Sequence, residues 1–156
     1  MTKEDIKILL VDDEKPFVDT LAERLAMRGF VARVAYNGLE ALKAVEQPTD
    51  VIVLDLRMPG MDGFEVLRNV KKNNPLVQVI ILTGHGGEAE EQTAYRMGAY
   101  NFLRKPTEID DLLGSIRLAY RDKLENTMVA VSLAEGGDFE SARDVLKEKD
   151  LLGEKE

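Results

Sequence analysis

Three apolar runs in this 156-residue chain stop abruptly at side chains suited to ionic chemistry. Val11 is followed by Asp12 and Asp13, Leu54 by Asp55, and Leu82 by Thr83, while a fourth run ends in Arg104-Lys105-Pro106. Crowded carboxylates repel one another and lose hydration, an arrangement that a cation relieves. A hard dication with oxygen ligands answers that need; Mg2+ takes one or two carboxylates and a phosphate oxygen and keeps several waters. Lysine adds a point charge for phosphate, and threonine a hydroxyl donor. Asp12, Asp13, Asp55, Thr83 and Lys105 together describe a phosphoryl-transfer site, where charge neutralisation and positioning do most of the catalysis. A carboxylate can itself accept the phosphoryl group. Asp55 is the candidate acceptor, because it caps what reads as the central strand.

Singly, each residue has an ordinary explanation: a strand-end Asp forms a turn or caps a helix, and a lone Lys is a solvated charge. The joint placement is what matters, and it requires a fold that gathers strand ends. Apolar runs at 6–11, 31–35, 51–54, 77–82 and 100–103 read as strands. The third and fourth are nearly all β-branched or Leu, as parallel strands buried on both faces should be. Helical spacing predicts helices at 16–28, 38–46, 63–72 and 87–97. Thr107-Glu108-Ile109-Asp110 has capping-box form ahead of a last long helix. Five strand–helix pairs with short, right-handed connections predict an α/β fold, a doubly wound five-stranded parallel sheet of flavodoxin-like type. In such a sheet all carboxyl ends point to one edge, where ligands bind.

Composition narrows the chemistry further. With no Cys and one His, His85, thiolate catalysis, disulfides and histidine-cluster metal sites are excluded. A formal charge of −8 disfavours sequence-neutral binding to nucleic acid, so no direct nucleic acid binding is expected. No apolar run approaches a membrane span and the start lacks a signal-peptide core, so the expectation is a cytoplasmic protein without membrane insertion.

Residues 5–124 resemble the receiver domain of two-component response regulators. The resemblance rests on Leu10-Val11-Asp12-Asp13-Glu14, Leu54-Asp55-Leu56-Arg57-Met58-Pro59-Gly60-Met61-Asp62-Gly63, Leu82-Thr83-Gly84-His85-Gly86 and Gly98-Ala99-Tyr100-Asn101-Phe102-Leu103-Arg104-Lys105-Pro106. It implies that Asp55 accepts a phosphoryl group from a phosphohistidine on a sensor histidine kinase or phosphotransfer protein. Asp13 and Asp55 would ligate Mg2+ directly, Asp12 through water, and Arg57 through its backbone carbonyl. Lys105 would pair with the acyl phosphate, and its bond to Pro106 would be cis. Gly84 would leave room beside the phosphoryl group, Thr83 would swing toward the new oxygens, and Phe102 would turn inward behind it. Arg57 and His85 are candidates for tuning dephosphorylation. The implied output is a population shift of the face made by the fourth helix, fifth strand and fifth helix, controlling a downstream protein target.

The last amphipathic stripe, Ile109 to Val131, runs on until Gly136-Gly137, and Phe139, Ala142, Val145 and Leu146 mark a second short segment. The expected division is a receiver over 1–124 and a C-terminal helical extension over 125–156. Those 32 residues carry nine acids and four bases, which argues against a DNA-binding output module. Residues 136–142 faintly resemble part of a tetratricopeptide repeat, too little for a stacked core. Other functions fit less well. A haloacid-dehalogenase-type phosphatase wants a second Asp two residues after its nucleophile, where Arg57 stands. A flavodoxin-like cofactor carrier wants a hydroxyl- and Gly-rich loop where Asp12-Asp13-Glu14 stands. A receiver-like module that is never phosphorylated would have little use for the complete acidic set.

Overall fold

A computed structural model of the protein describes residues 5–135. Five short strands, β1 (Ile8–Val11), β2 (Ala32–Ala35), β3 (Val51–Leu54), β4 (Gln78–Thr83) and β5 (Asn101–Arg104), alternate with five helices. These are α1 (Lys15–Met27), α2 (Gly38–Ala44), α3 (Gly63–Asn73), α4 (Glu88–Arg96) and α5 (Ile109–Glu135). The strands form one parallel sheet in the order β2-β1-β3-β4-β5.

The two-residue period of a strand sorts its side chains into two cores. Ile8, Leu10, Val51, Val53, Ile80 and Leu82 meet Val18 and Leu25 of α1 and Leu112, Leu113 and Ile116 of α5. Their neighbours Leu9, Val11, Ile52, Leu54, Val79 and Ile81 face the other way, against Ala41 of α2, Val66, Leu67 and Val70 of α3, and Ala94 of α4. Because both faces are covered, the central strands have no polar side, and polar residues collect at their ends.

Register then aligns those ends. Val11 pairs with Leu54, and Thr83 pairs with Arg104, so Asp12, Asp55 and Lys105 all emerge along one edge. Backbone bonds extend the ladder by one step: the amide of Asp55 donates to the Val11 carbonyl at 3.0 Å, and that of Lys105 to the Thr83 carbonyl at 2.9 Å.

The elements differ from the sequence reading mainly at their edges. Thr83 is the last residue of β4 rather than the first beyond it, and β5 starts one residue later than expected. Tyr100 still donates its amide to Val79, but its hydroxyl turns away to Asp122 at 2.8 Å. The capping box at Thr107 does not form. Helix α5 begins one residue later than that box requires, and the Thr107 hydroxyl donates to the Arg104 carbonyl at 2.6 Å, bracing the turn out of β5. Helix α5 continues without a break past Leu124 to Glu135. Gly136-Gly137 and the second segment at Phe139, Ala142, Val145 and Leu146 lie outside the described residues. Among the described residues no helix is long and apolar enough to cross a membrane.

One glycine fits α3 against the strand end. A Cβ on Gly63 would stand 2.6 Å from the Leu56 Cα and would also strike the Asp55 carbonyl oxygen. Asp62 caps the helix here by accepting from the Glu65 amide at 3.0 Å, and the Gly63 amide donates to the Leu56 carbonyl at 2.9 Å. Both neighbours of the missing Cβ are backbone, so relief requires moving a helix or a strand end. Gly63→Ala should therefore lower stability by about 1–3 kcal/mol, the usual range for overpacking. Urea denaturation reads this directly; an unchanged midpoint would mean that α3 retreats at no cost.

Candidate functional site

The loop after β1 is shaped by Asp12. Its Oδ1 accepts from the Glu14 amide at 2.9 Å, a side-chain turn that starts α1, and its Oδ2 accepts from Lys105 Nζ at 2.7 Å. Lys105 also donates to Glu14 Oε1 at 2.9 Å and stands 3.8 Å from Asp55 Oδ2. The Phe17 ring lies 4.2 Å from the same ammonium, a cation–π contact. One cation thus sits among three carboxylates and an aromatic face.

Burial and charge pull these groups in different directions. Burial alone would lower the Lys105 ammonium, yet its bonds to Asp12 and Glu14, with the Asp55 charge, outweigh that and hold it above its ordinary value. The Lys105 bond and charge hold Glu14 low. Asp12 goes up: burial dominates, the Asp55 charge adds to it, and the bonds from Lys105 and the Glu14 amide offset only part.

The acidic set fits a dication. Asp12, Asp13 and Asp55 each offer an oxygen, all within 4.8 Å of one another. Asp55 is 3% exposed, and its Oδ1 is buried with no hydrogen-bond partner among the described residues. A buried carboxylate oxygen without a donor is costly, and a hard cation would satisfy it.

The remaining predicted residues sit around this cluster. Thr83 is 1% exposed, and its Oγ1 accepts from the His85 amide at 3.2 Å. Gly84 is exposed, and a Cβ there would make ordinary contact, 3.9 Å, with the Lys105 side chain. The Lys105–Pro106 peptide is cis. Phe102 lies in the core on the α3 and α4 side of the sheet. Arg57 and His85 are both exposed and line a neighbouring groove of about 490 Å3 with Leu56, Met58, Phe64 and Glu90. Asp12, Asp13, Asp55 and Lys105 therefore converge, while Arg57 and His85 line the groove and Phe102 lies in the core.

Residues 8–117 match the family model of the response regulator receiver domain. The chain belongs to the response regulator receiver family. It is 36% identical over 113 residues to the DNA-binding transcriptional regulator NtrC of Escherichia coli K12, covering 72% of this chain and 24% of that protein. It is 33% identical over 132 residues to the response regulator MprA of Mycobacterium ulcerans, covering 83% of this chain and 56% of that one. The chain thus spans about a quarter to a half of the length of these relatives. Among solved structures, a response regulator receiver domain protein from Clostridium thermocellum superposes with a TM-score of 0.72 at 35% identity, covering 76% of this chain and 96% of that one. The receiver fold and its acidic pocket, Asp12, Asp13 and Asp55, are those of a signalling phosphoacceptor domain.

Three contributors to the receiver's pocket escaped the sequence reading. Glu14 directly follows the two aspartates at the end of the first strand, but its partner Lys105 lies 91 residues away. Phe17 shows the periodicity of a helix core residue, and nothing in that spacing reveals the ammonium over its ring. Gly63 marks a close approach that only the packing of α3 exposes.

The raised Asp12 carboxyl predicts a sign for pH dependence in metal-free protein. The folded state binds the Asp12 proton more tightly than the unfolded chain, so the ionised side chain opposes folding at neutral pH. That penalty disappears as pH falls through the raised folded value toward the ordinary 3.8. In EDTA, Asp12→Asn should be more stable than the wild type at pH 7, and the gap should close by about pH 4. Equal stability at pH 7, or a gap that widens in acid, would contradict the assignment.

Proposed function

We propose that Asp55 is the phosphoacceptor of this receiver and that the donor is a phosphohistidine on a sensor histidine kinase or phosphotransfer protein. The observation that carries the reading is the buried Oδ1 of Asp55, without a hydrogen-bond partner among the described residues, beside two further carboxylates and the Lys105 ammonium. In the reaction the N–P bond of the donor breaks as a bond forms from an Asp55 carboxylate oxygen to phosphorus. The products are an acyl phosphate and a free imidazole. Asp13 and Asp55 would hold Mg2+ directly, with Asp12 assisting through water and the Arg57 carbonyl completing the protein ligands. Bound there, the ion neutralises carboxylate and phosphoryl charge and helps orient the group.

Lys105 then has two duties on this reading. In the resting protein it offsets the carboxylates; after transfer it pairs with the phosphoryl oxygens. Thr83 supplies a hydroxyl to the same oxygens, and Gly84 keeps the approach open. Arg57 and His85, which line the adjoining groove, tune access of water to the acyl phosphate. The receiver is a phosphoacceptor that assists its own phosphorylation and dephosphorylation, rather than an enzyme acting on a separate substrate.

Output follows from charge. Phosphorylation adds nearly two negative charges and new acceptors, favouring the state with Thr83 and Phe102 drawn to the site. The face made by α4, β5 and α5 would carry that change to a downstream protein. The net charge of −8 supports protein contact over contact with a nucleic acid backbone. Residues 1–124 form the receiver domain on this reading, and 125–156 its C-terminal helical extension.

Incubation with Mg2+ and acetyl phosphate should give a base-labile phosphoprotein band on a phosphate-affinity gel, absent from Asp55→Asn. No Mg2+-dependent label on the wild type would refute the proposal. Ligation also predicts stabilisation by mass action, about 2.7 kcal/mol when Mg2+ reaches a hundred times its dissociation constant. Thermal shift against Mg2+ should show a rise in the wild type that Asp13→Asn and Asp55→Asn abolish; an equal rise in all three would remove the ligand assignment.

A further inference from the structure

Helix α4 is poorly seated by apolar contact. Of its nine residues Ala94 is the buried one, so polar ties must fix it to β5. At its C-terminal end the Tyr95 hydroxyl donates to Asn101 Oδ1 and accepts from the Phe102 amide, both at 3.1 Å. At its N-terminal end a single side chain from the last position of β5 serves instead. The Arg104 guanidinium donates to the Gly86 carbonyl at 2.5 Å and to Glu91 Oε1 at 2.7 Å, and it lies 5.0 Å from the centroid of the Phe102 ring.

These contacts reach the pocket through a short chain of bonds. Gly86 belongs to the loop after β4, at a φ of 99° that favours glycine. One residue earlier, the His85 amide donates to Thr83 Oγ1 at 3.2 Å. The position of the loop and the orientation of the Thr83 hydroxyl are therefore linked, and Arg104 holds the loop from outside. Two of the three contacts use the planar fork of a guanidinium, which a lysine ammonium does not reproduce.

We infer that Arg104 is a positioning residue for phosphoryl acceptance, clamping the β4–α4 loop through Gly86 while capping Phe102, and thereby setting Thr83. The inference rests on Asp55 being the phosphoacceptor. A receiver whose loop is clamped spends more of its time competent for the phosphoryl group. Loosening the clamp weakens apparent affinity in proportion to the competent fraction lost.

The test uses the full chain, with beryllofluoride and Mg2+ as the phosphoryl analogue and amide and aromatic NMR as the second readout. Arg104→Ala should weaken beryllofluoride affinity about threefold to tenfold, the range expected for losing an exposed ion pair and a cation–π contact. In resting protein, without the analogue, it should shift the amides of Gly84 to Gly86 and the ring of Phe102. Arg104→Lys keeps the charge and should recover only part of the affinity; Glu91→Gln, which spares Gly86 and the ring, should cost less than Arg104→Ala. Unchanged affinity in Arg104→Ala, or unmoved resting resonances at Gly86 and Phe102, overturns the clamp. A wild type that binds no beryllofluoride would instead remove the acceptor reading, and the resting spectra would still decide the clamp.

Discussion

Everything at the pocket is arranged around an excess of negative charge in a place with little water. Asp12 and Asp55 are buried at the ends of adjacent strands, Asp13 is half-buried beside them, and a single ammonium, that of Lys105, stands between. A lone buried carboxylate would protonate or recruit donors. Here one cation is shared among Asp12, Glu14 and Asp55, leaving an Asp55 oxygen without a partner among the described residues. The fold tolerates this concentration of charge because the sheet beneath it is apolar on both faces and well filled. Stability is supplied by the two cores, and the polar edge carries an acidic cluster that could hold a metal ion.

The parallel sheet is what makes such crowding reproducible. Each strand is four to six residues long, so the ends of β1, β3, β4 and β5 fall close to one line once register is set. A one-residue slip would turn Asp55 toward a core and send Leu54 to the pocket. The near-continuous apolar runs of β3 and β4 would tolerate such a slip by pattern alone. Backbone contacts prevent it: the fit of Gly63 over Leu56 and the Asp55 amide bond to Val11 fix that strand end in place.

Much of this could be read from residue order, and the reason is physical. Parallel strands buried on both faces have a distinctive composition, and polar residues that interrupt them can only lie at their ends. Asp12, Asp13, Asp55, Thr83 and Lys105 are therefore legible as a group in residue order alone. The shared partners are not. Glu14 and Phe17 gain their roles from an ammonium that arrives from the far edge of the sheet, and no local pattern encodes that meeting. Thr107 shows the opposite failure. Its spacing to Asp110 satisfies a capping rule, but α5 begins one residue later than that rule requires, at Ile109, so Glu108 rather than Thr107 precedes the helix. A capping pattern counts only where the helix starts directly after it.

The ties between α4 and β5 also bear on the open border of the sheet. β5 is an edge strand, and an edge normally offers amides and carbonyls as a template on which a foreign strand can grow. At Phe102 that template is withdrawn, because the amide already donates to the Tyr95 hydroxyl and to its neighbour Asn101 at 2.8 Å. Asn101 in turn donates to Ser115 on α5 at 3.0 Å. Side chains from both flanking helices thus close the margin of a four-residue strand, protecting the molecule from edge-to-edge aggregation along this border.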